Sequence, residues 1–154
     1  MEPLMTGVEI SPFDLQMPFF YWPDAILTGI NRIRGRPAYA FLFRPPAGFK
    51  AVHPEIVAVR AWLDTAFPEP VQTELIGPNR AVLKTLSLLD IKKIQGQWML
   101  SSADVRTEAT RNKTRFSLTG AALGLDLDAA LFSPAKLAEE AGVPAESRIE
   151  SIAP

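Results

Sequence analysis

The sequence has no cysteine and only one histidine, His53. Without cysteine the chain has no disulfide, no thiolate catalysis and no Cys-ligated metal, and a single histidine excludes motifs that bind metal through two. The 16 basic and 17 acidic residues leave a net charge of −1, which gives no electrostatic signature for nucleic acid. No apolar run reaches the roughly 18 residues of a transmembrane helix, and Met1–Ile10 lacks the pattern of a secretory signal peptide.

The stretch Trp22-Pro23-Asp24 raises the question of catalysis, because the same three residues form the mobile acid loop of protein tyrosine phosphatases. That mechanism needs a thiolate nucleophile in a phosphate-binding loop, and this chain has no cysteine. The acids are spread over strands and turns without a pair suited to general acid/base catalysis. We therefore predict that the chain is not an enzyme, with no catalytic residue, no metal and no cofactor.

Strand-like segments with short turns between them make up most of the chain. Strands separated by short turns pair with their sequence neighbours, which predicts an antiparallel meander. Residues 48–54 are predicted to be a loop, since Pro45-Pro46-Ala47-Gly48 ends a strand. The predicted strands are 26–34, 38–44, Ile56–Asp64, Val71–Ile76, Val82–Ile94, Gln97–Ala109 and Thr114–Thr119.

Two short helices are expected near the ends of the chain. Ser11-Pro12-Phe13-Asp14 combines an N-cap residue, a proline at the first helical position and a capping acid. Ser133-Pro134 repeats the signal for a helix to Ala141, and the tail 143–154 is predicted to be frayed. The predicted fold is a single α+β domain, residues 1–154, with a curved antiparallel sheet and short helices.

Charged residues around one predicted hairpin are expected to pair with each other. Cross-strand ion pairs with Asp104 and Glu108 explain the basic cluster better than a phosphate or lipid-headgroup contact does. The cluster consists of Arg106, Arg111, Lys113 and Arg115.

The sheet has more apolar surface than two short helices can cover. On the strand Ile56–Asp64, for example, Val57, Val59, Ala61 and Leu63 share one face, while Arg60 and Trp62 point to the other. Such a face must be closed by curling of the sheet, by a ligand or by a partner. A curled sheet with an apolar concave face is a common way to hold lipid-like molecules.

The order of several motifs resembles the LolA-like family of outer-membrane lipoprotein-sorting proteins. The longest is AVLKTLSLLDIKKIQGQWMLSSADVRTEATRNKTRFSL, residues 81–118, which is similar to the late hairpins of that family. The others are ISPFDLQMPFFYWPD, NRIRGRPAYAFLF, VAVRAWLDTAFPEPVQTEL and LFSPAKL. The resemblance runs from about Gly7 to Ala141, and in it Trp22-Pro23-Asp24 is an element of the fold.

The resemblance implies a half-open β-barrel with a helical lid over an apolar cavity, in a periplasmic, envelope-facing protein. It implies binding of the acyl chains of lipids or lipoproteins, without catalytic residues or metal. The resemblance implies that residues 1–154 correspond to the C-terminal two-thirds of such proteins, without the leader, first strands and lid helix that those proteins carry. An incomplete barrel would expose a sheet edge and favour association between copies.

We therefore predict a carrier-like protein that binds an apolar ligand; the alternative is a structural or assembly domain whose apolar face is covered by a partner subunit. A shift of one residue in register would move Trp62 or Met99 to the other face. The predicted cavity wall consists of Phe13, Phe19, Phe20, Trp22, Tyr39, Phe41, Phe43, Val57, Val59, Trp62, Met99, Val105, Phe116 and Leu118.

Overall fold

Seven strands lie side by side in the order of the sequence and form one sheet. The computed structural model describes residues 2–67, 69–136 and 144–152. The hairpin pairings among the first five strands are antiparallel, as predicted. The strands are β1 Asp24–Ile33, β2 Arg36–Arg44, β3 Ala58–Asp64, β4 Pro70–Ile76, β5 Val82–Ile94, β6 Gln97–Thr107 and β7 Lys113–Ser117.

Two-residue turns close the hairpins β1–β2 and β5–β6. Arg34-Gly35 has φ values of 51° and 84°, and Gln95-Gly96 has 46° and 85°. Positive φ at both central positions is the geometry that matches the twist of paired strands, and glycine adopts it without steric cost. Gln95-Gly96 is the gap left between two of the predicted strands. Pro37 also lies between two predicted strands, but in the structure it belongs to β2 and pairs with Arg32.

Helical segments flank the first part of the sheet. They are α1 Pro12–Gln16, a 3-10 helix Pro18–Tyr21, and α2 Ala47–Val52. The helix predicted at Ser11-Pro12 is confirmed, and the Ser11 backbone N–H donates to the Asp14 carboxylate at 2.7 Å. The prediction of a loop at 48–54 was wrong, because α2 occupies most of it. The Phe49 ring in α2 packs 5.0 Å from the Trp22 ring, a tertiary contact that outweighs poor local helix propensity.

The chain forms two compact units, Met1–Asp90 with Ser102–Phe116, and Ile91–Ser101 with Ser117–Pro154. In the second unit, β8 Gly120–Ala121 pairs with β9 Glu150–Ser151. Within the tail that was predicted to be frayed, Glu150 and Ser151 pair with β8, and the Ile152 N–H donates to the Thr119 carbonyl at 2.9 Å. The predicted helix beginning at Ser133-Pro134 starts with the 3-10 turn Pro134–Lys136, and its remainder lies outside the described residues.

None of the helices among residues 2–67, 69–136 and 144–152 is long and apolar enough to cross a membrane.

Alternating residues of β2 and β3 divide the first unit between two faces of the sheet. On one face, Phe43, Val59 and Ala61 pack against the helices. We call this set the aromatic core; its buried members are Phe13, Phe19, Trp22, Phe43, Ile56, Val59, Ala61 and Leu75. On the other face, Ala38, Ala40, Trp62 and Val71 form a separate cluster. The sequence-based assignment of Val59 and Ala61 to one face and Trp62 to the other is confirmed.

Candidate functional site

A cavity of about 530 Å³ lies in the first unit, over the strand positions that face away from the aromatic core. Ala40 and Leu42 come from β2, Ala58 and Trp62 from β3, and Ile76 from β4. We call it the arginine-lined cavity; its lining residues are Thr28, Asn31, Ala40, Leu42, Arg44, Val57, Ala58, Arg60, Trp62, Ile76 and Arg80. Its volume lies within the usual range of small-molecule sites, about 300–1,000 Å³.

The shape of this cavity follows from residue size and from a bulge. Ala40 pairs with Trp62 across β2 and β3, so a small side chain lies beside a large one on this face. The Trp62 indole N–H donates to Asn31 Oδ1 at 3.3 Å, which holds the ring against the floor. A break in register between Leu27 and Gly29 places Thr28 in a bulge, and its hydroxyl donates to the Ala40 carbonyl at 2.9 Å. Bulges of this kind redirect side chains at the edge of a sheet.

Arginines supply the charge of the cavity. Arg44 Nη1 lies 3.2 Å from the Asp24 carboxylate, and both side chains are half-exposed. Arg60 Nη1 lies 3.6 Å from Glu74 Oε2, and the Arg60 guanidinium carbon stands 5.4 Å from the centre of the Trp62 ring. The third, Arg80, closes the turn Pro78–Arg80 between β4 and β5 with a φ of 61°.

The residues predicted to form a single cavity wall fall into several groups. Phe13, Phe19, Trp22, Phe43 and Val59 are buried in the aromatic core, and Phe20 and Phe41 pack against it. Val105 packs with Ile10 and Leu86, and Phe116 lies against them.

The remaining predicted wall residues lie elsewhere. Val57 and Trp62 line the arginine-lined cavity. Val57 precedes β3 and does not share the face of Val59, because the strand begins only at Ala58. Tyr39 is exposed, and Met99 and Leu118 of the second unit are partly buried. The ligand-binding role of all these residues stays a prediction.

The residues of the Trp-Pro-Asp stretch have structural partners. Trp22 is buried in the aromatic core. Asp24 starts β1, pairs with Arg44 across β2 and accepts two hydrogen bonds from its guanidinium at 3.2 and 3.3 Å. These contacts place the stretch at the junction between the 3-10 helix and the sheet.

A second, polar cleft of about 290 Å³ lies on the β5–β7 part of the first unit. Asp104 accepts hydrogen bonds from Arg115 Nε and Nη2 at 2.7 and 2.9 Å, and Lys113 Nζ lies 3.3 Å away. The Arg115 hydrogen bonds, assisted by Lys113, lower the pKa of Asp104 from 3.8 to about 2 against the opposing effect of burial. The predicted cross-strand pairing is confirmed for Lys113 and Arg115 with Asp104. Arg106 pairs with Glu108 at 3.4 Å, two residues along the same segment rather than across the hairpin. The cleft is lined by Arg34, Thr85, Ser87, Leu89, Asp104, Arg106, Glu108 and Lys113.

The lowered pKa of Asp104 implies a loss of stability in acid. Because the folded pKa lies below the unfolded value, the stabilisation is complete above about pH 4 and is lost as the pH falls toward 2. We expect Asp104→Asn to remove about 1 kcal/mol or less of stability at pH 7, since the cations are exposed to solvent. Urea unfolding at pH 7 and pH 2 measures the free energy of unfolding of both proteins. The variant should lose less stability between the two pH values than the wild type. Equal losses would contradict this assignment.

Sequence reasoning missed the arginines as a group. They come from β2, β3 and the turn after β4, far apart in sequence. A signal was present in β3, where Arg60 and Trp62 alternate with Val59 and Ala61. That alternation predicts a face of β3 that carries both a charged and an aromatic side chain. Only the pairing of the strands shows that Arg44 and Arg80 lie beside the same cavity.

Comparison with solved structures places this fold. A DUF1329 family protein from Desulfovibrio piger superimposes with a TM-score of 0.65 at 18% identity, over 74% of this chain and 46% of that chain. A LolA superfamily protein from Nitrosomonas europaea gives a TM-score of 0.56 at 14% identity, over 77% and 52%. A putative outer membrane lipoprotein-sorting protein domain from Vibrio parahaemolyticus gives 0.53 at 18% identity, over 60% and 38%.

The chain therefore has a LolA-like fold, and the predicted class, a curved antiparallel sheet with short helices that is not closed, is confirmed. It spans about half or less of the length of these solved structures. The chain belongs to the protein family whose description reads "Uncharacterized protein", since the model of that family matches residues 55–139, more than half of the sequence. No curated protein matches it.

Proposed function

We propose that this chain is a non-enzymatic, carrier-like protein of the periplasm or cell envelope that binds the acyl chain of a lipid or lipoprotein. The observation that carries the proposal is the arginine-lined cavity, with about 530 Å³ of space over an apolar floor. The names of two similar structures, a LolA superfamily protein and a lipoprotein-sorting domain, support it as analogy.

Burial of the acyl chain would supply the binding energy. Each buried methylene contributes about 0.8 kcal/mol, and apolar surface about 25 cal/mol per Å². Ala40, Ala58, Trp62 and Ile76 form an apolar floor that is itself largely buried. Val57 and the partly buried Leu42 supply the more accessible apolar surface of the cavity. Such binding needs neither directional hydrogen bonds to the acyl chain nor a catalytic group.

A second candidate function is that of an assembly domain whose apolar surface is covered by a partner subunit. It rests on β1, which forms one edge of the seven-stranded sheet. Three large apolar side chains of this strand, Ile26, Leu27 and Ile30, are exposed, Ile30 to 62%. An exposed apolar edge strand is a template for pairing with another chain.

Quenching of individual tryptophans by a brominated fatty acid tests where the acyl chain binds. A variant with Trp22→Phe and Trp98→Phe retains only Trp62, and one with Trp62→Phe and Trp98→Phe retains only Trp22. We expect dibromostearate to quench Trp62 strongly and Trp22 weakly, because Trp62 lies in the floor of the cavity, whereas Trp22 packs in the aromatic core on the other face of the sheet. Native mass spectrometry of the wild type should show the bound fatty acid.

The other outcomes separate the alternatives. Strong quenching of Trp22 alone would place the ligand among the predicted wall residues of the aromatic core and would rule out the cavity as the site. Absence of quenching in both variants, together with a lipid-free dimer in native mass spectrometry, would reject the carrier and favour the assembly domain.

A further inference from the structure

We infer that the arginine-lined cavity binds an anionic amphiphile, whose carboxylate or phosphate head contacts Arg80 and whose apolar chain lies along Leu42 and Val57, over the buried Trp62. This inference rests on the proposed function and adds to it the charge of the ligand and the residue that recognises it.

The first argument is the sign of the charge. The residues that line the cavity include three arginines and no acid among those described. The acids that neutralise part of this charge, Asp24 and Glu74, pair with Arg44 and Arg60. A cavity of one sign with apolar walls concentrates ligands of the opposite charge.

The second argument is which of the three arginines already has an ion-pair or hydrogen-bond partner. Arg44 is engaged by both oxygens of Asp24. The contact of Arg60 with Glu74 is loose, since Glu74 Oε2 is buried without a hydrogen-bond partner among the described residues. Because a guanidinium has five N–H donors, Arg60 retains donors for a ligand oxygen. Within the part of the chain that the structure describes, Arg80 has no ion pair or hydrogen bond through its side chain. Its charge is therefore the one that a ligand would neutralise.

The third argument is the backbone that presents Arg80. Asn79 and Arg80 both have left-handed φ values, 56° and 61°, in consecutive positions without glycine. Hydrogen bonds hold the turn: the Gly77 N–H donates to the Ala81 carbonyl at 2.8 Å, and the Ala81 N–H donates to the Pro78 carbonyl at 3.1 Å. These bonds make Asn79 and Arg80 the central residues of a tight turn, which fixes the origin of the Arg80 side chain beside the cavity.

The class of ligand follows from the geometry of the guanidinium. Its planar pair of donors matches the two oxygens of a carboxylate or a phosphate, while a neutral hydroxyl can accept only single hydrogen bonds. The apolar floor requires a hydrocarbon body next to that head. A fatty acid and a lipid phosphate both satisfy these conditions.

The test compares amphiphiles of equal chain length by isothermal titration calorimetry, each below its micelle threshold. Laurate and dodecyl phosphate carry the two anionic heads, and monolauroylglycerol is the neutral control. We expect Arg80→Gln to weaken the binding of laurate, dodecyl phosphate or both by about fivefold, and to leave monolauroylglycerol unchanged. The more tightly bound of the two anions identifies the preferred head.

The matched control variant is Arg111→Gln. Arg111 is also an exposed arginine with a left-handed backbone, φ 58°, but it does not line the cavity. It should leave all three affinities unchanged, although it removes the same charge from the protein. Added salt should weaken the binding of laurate and dodecyl phosphate to the wild type, and it should have little effect on the binding of monolauroylglycerol.

Two results would overturn the inference in different ways. Equal effects of Arg80→Gln and Arg111→Gln, or an equal loss for monolauroylglycerol, would remove the head-group contact while leaving the acyl-binding proposal intact. Absence of binding for all three amphiphiles to the wild type would reject the proposed function together with the inference.

Discussion

Replacing Asp14 with Asn is expected to lower the free energy of unfolding by about 3–5 kcal/mol. The Asp14 and Lys84 side chains are 4% and 14% exposed, and Lys84 Nζ lies 2.9 Å from Asp14 Oδ2. The substitution removes the negative charge and leaves Lys84 buried without its counter-ion. Denaturation in urea, followed by tryptophan fluorescence, measures the loss.

The expected loss is large because Asp14 is the centre of a polar network. The same Asp14 oxygen accepts hydrogen bonds from the Ser11 N–H at 2.7 Å and the Ser11 hydroxyl at 2.6 Å. Lys84 Nζ also donates to the Glu9 carbonyl at 2.8 Å, and the Thr107 hydroxyl donates to the Glu9 carboxylate. That last contact is the main cause of the lowered pKa of Glu9. The network thus attaches the segment that precedes the aromatic core to β5 and β6.

Two comparisons distinguish this buried pair from an ordinary surface pair. Asp24→Asn breaks the half-exposed pair with Arg44 and should cost only about 0–1 kcal/mol. Adding Lys84→Met to Asp14→Asn should recover part of the lost stability, because it removes the uncompensated buried charge. Equal losses for Asp14→Asn and Asp24→Asn, or a double variant less stable than Asp14→Asn, would contradict the assignment.

The strands could be predicted because their signals are local. Glycine, proline and asparagine mark the turns, and the apolar residues between them alternate with period two. β5 has the predicted bounds, Val82–Ile94, since Gly77-Pro78-Asn79 and Gln95-Gly96 enclose it. The short helix at Ser11-Pro12 was predictable for the same reason, as its capping residues lie within one turn.

Elements that depend on distant contacts could not be predicted in the same way. α2 begins after two prolines and contains Gly48, so local propensity opposes it, whereas its Phe49 ring lies 5.4 Å from the Phe13 ring. β9 has only two residues and exists through its pairing with β8. In both cases packing between residues far apart in sequence decides the structure.

The candidate site shows the same division. Successive side chains of β3 point to opposite faces of the sheet, so Trp62 and Val59 lie on different faces. The two residues therefore cannot belong to one cavity wall. The predicted list joined aromatic residues by composition, and the structure divides them between the core and the cavity. Arg80 could not be predicted as a cavity residue, because its position depends on the left-handed turn at Asn79 and Arg80.

Phe19→Ala is expected to destabilise the fold by about 3–5 kcal/mol, the usual range for removing a buried phenylalanine ring. Phe19 is 2% exposed. Its ring centre lies 4.6 Å from that of Phe20, 5.6 Å from Phe43 and 5.9 Å from Phe13. Urea unfolding measures the change against Tyr21→Ala, a variant of the same 3-10 helix whose side chain is 89% exposed and whose loss should stay within about 0.5 kcal/mol.

The same variant tests which face of the sheet takes an acyl chain. A ligand stabilises the folded state according to its concentration and affinity. If laurate binds in the arginine-lined cavity, it should stabilise the wild type and Phe19→Ala by the same amount, because Phe19 lies in the aromatic core and does not line that cavity. If the acyl chain instead enters among the aromatic side chains, the space left by the missing ring should change its affinity, and the two proteins would gain different amounts of stability. A loss of less than 1 kcal/mol for Phe19→Ala without ligand would show that this ring is not part of a packed core. It would favour the prediction that the aromatic residues form a ligand-binding wall.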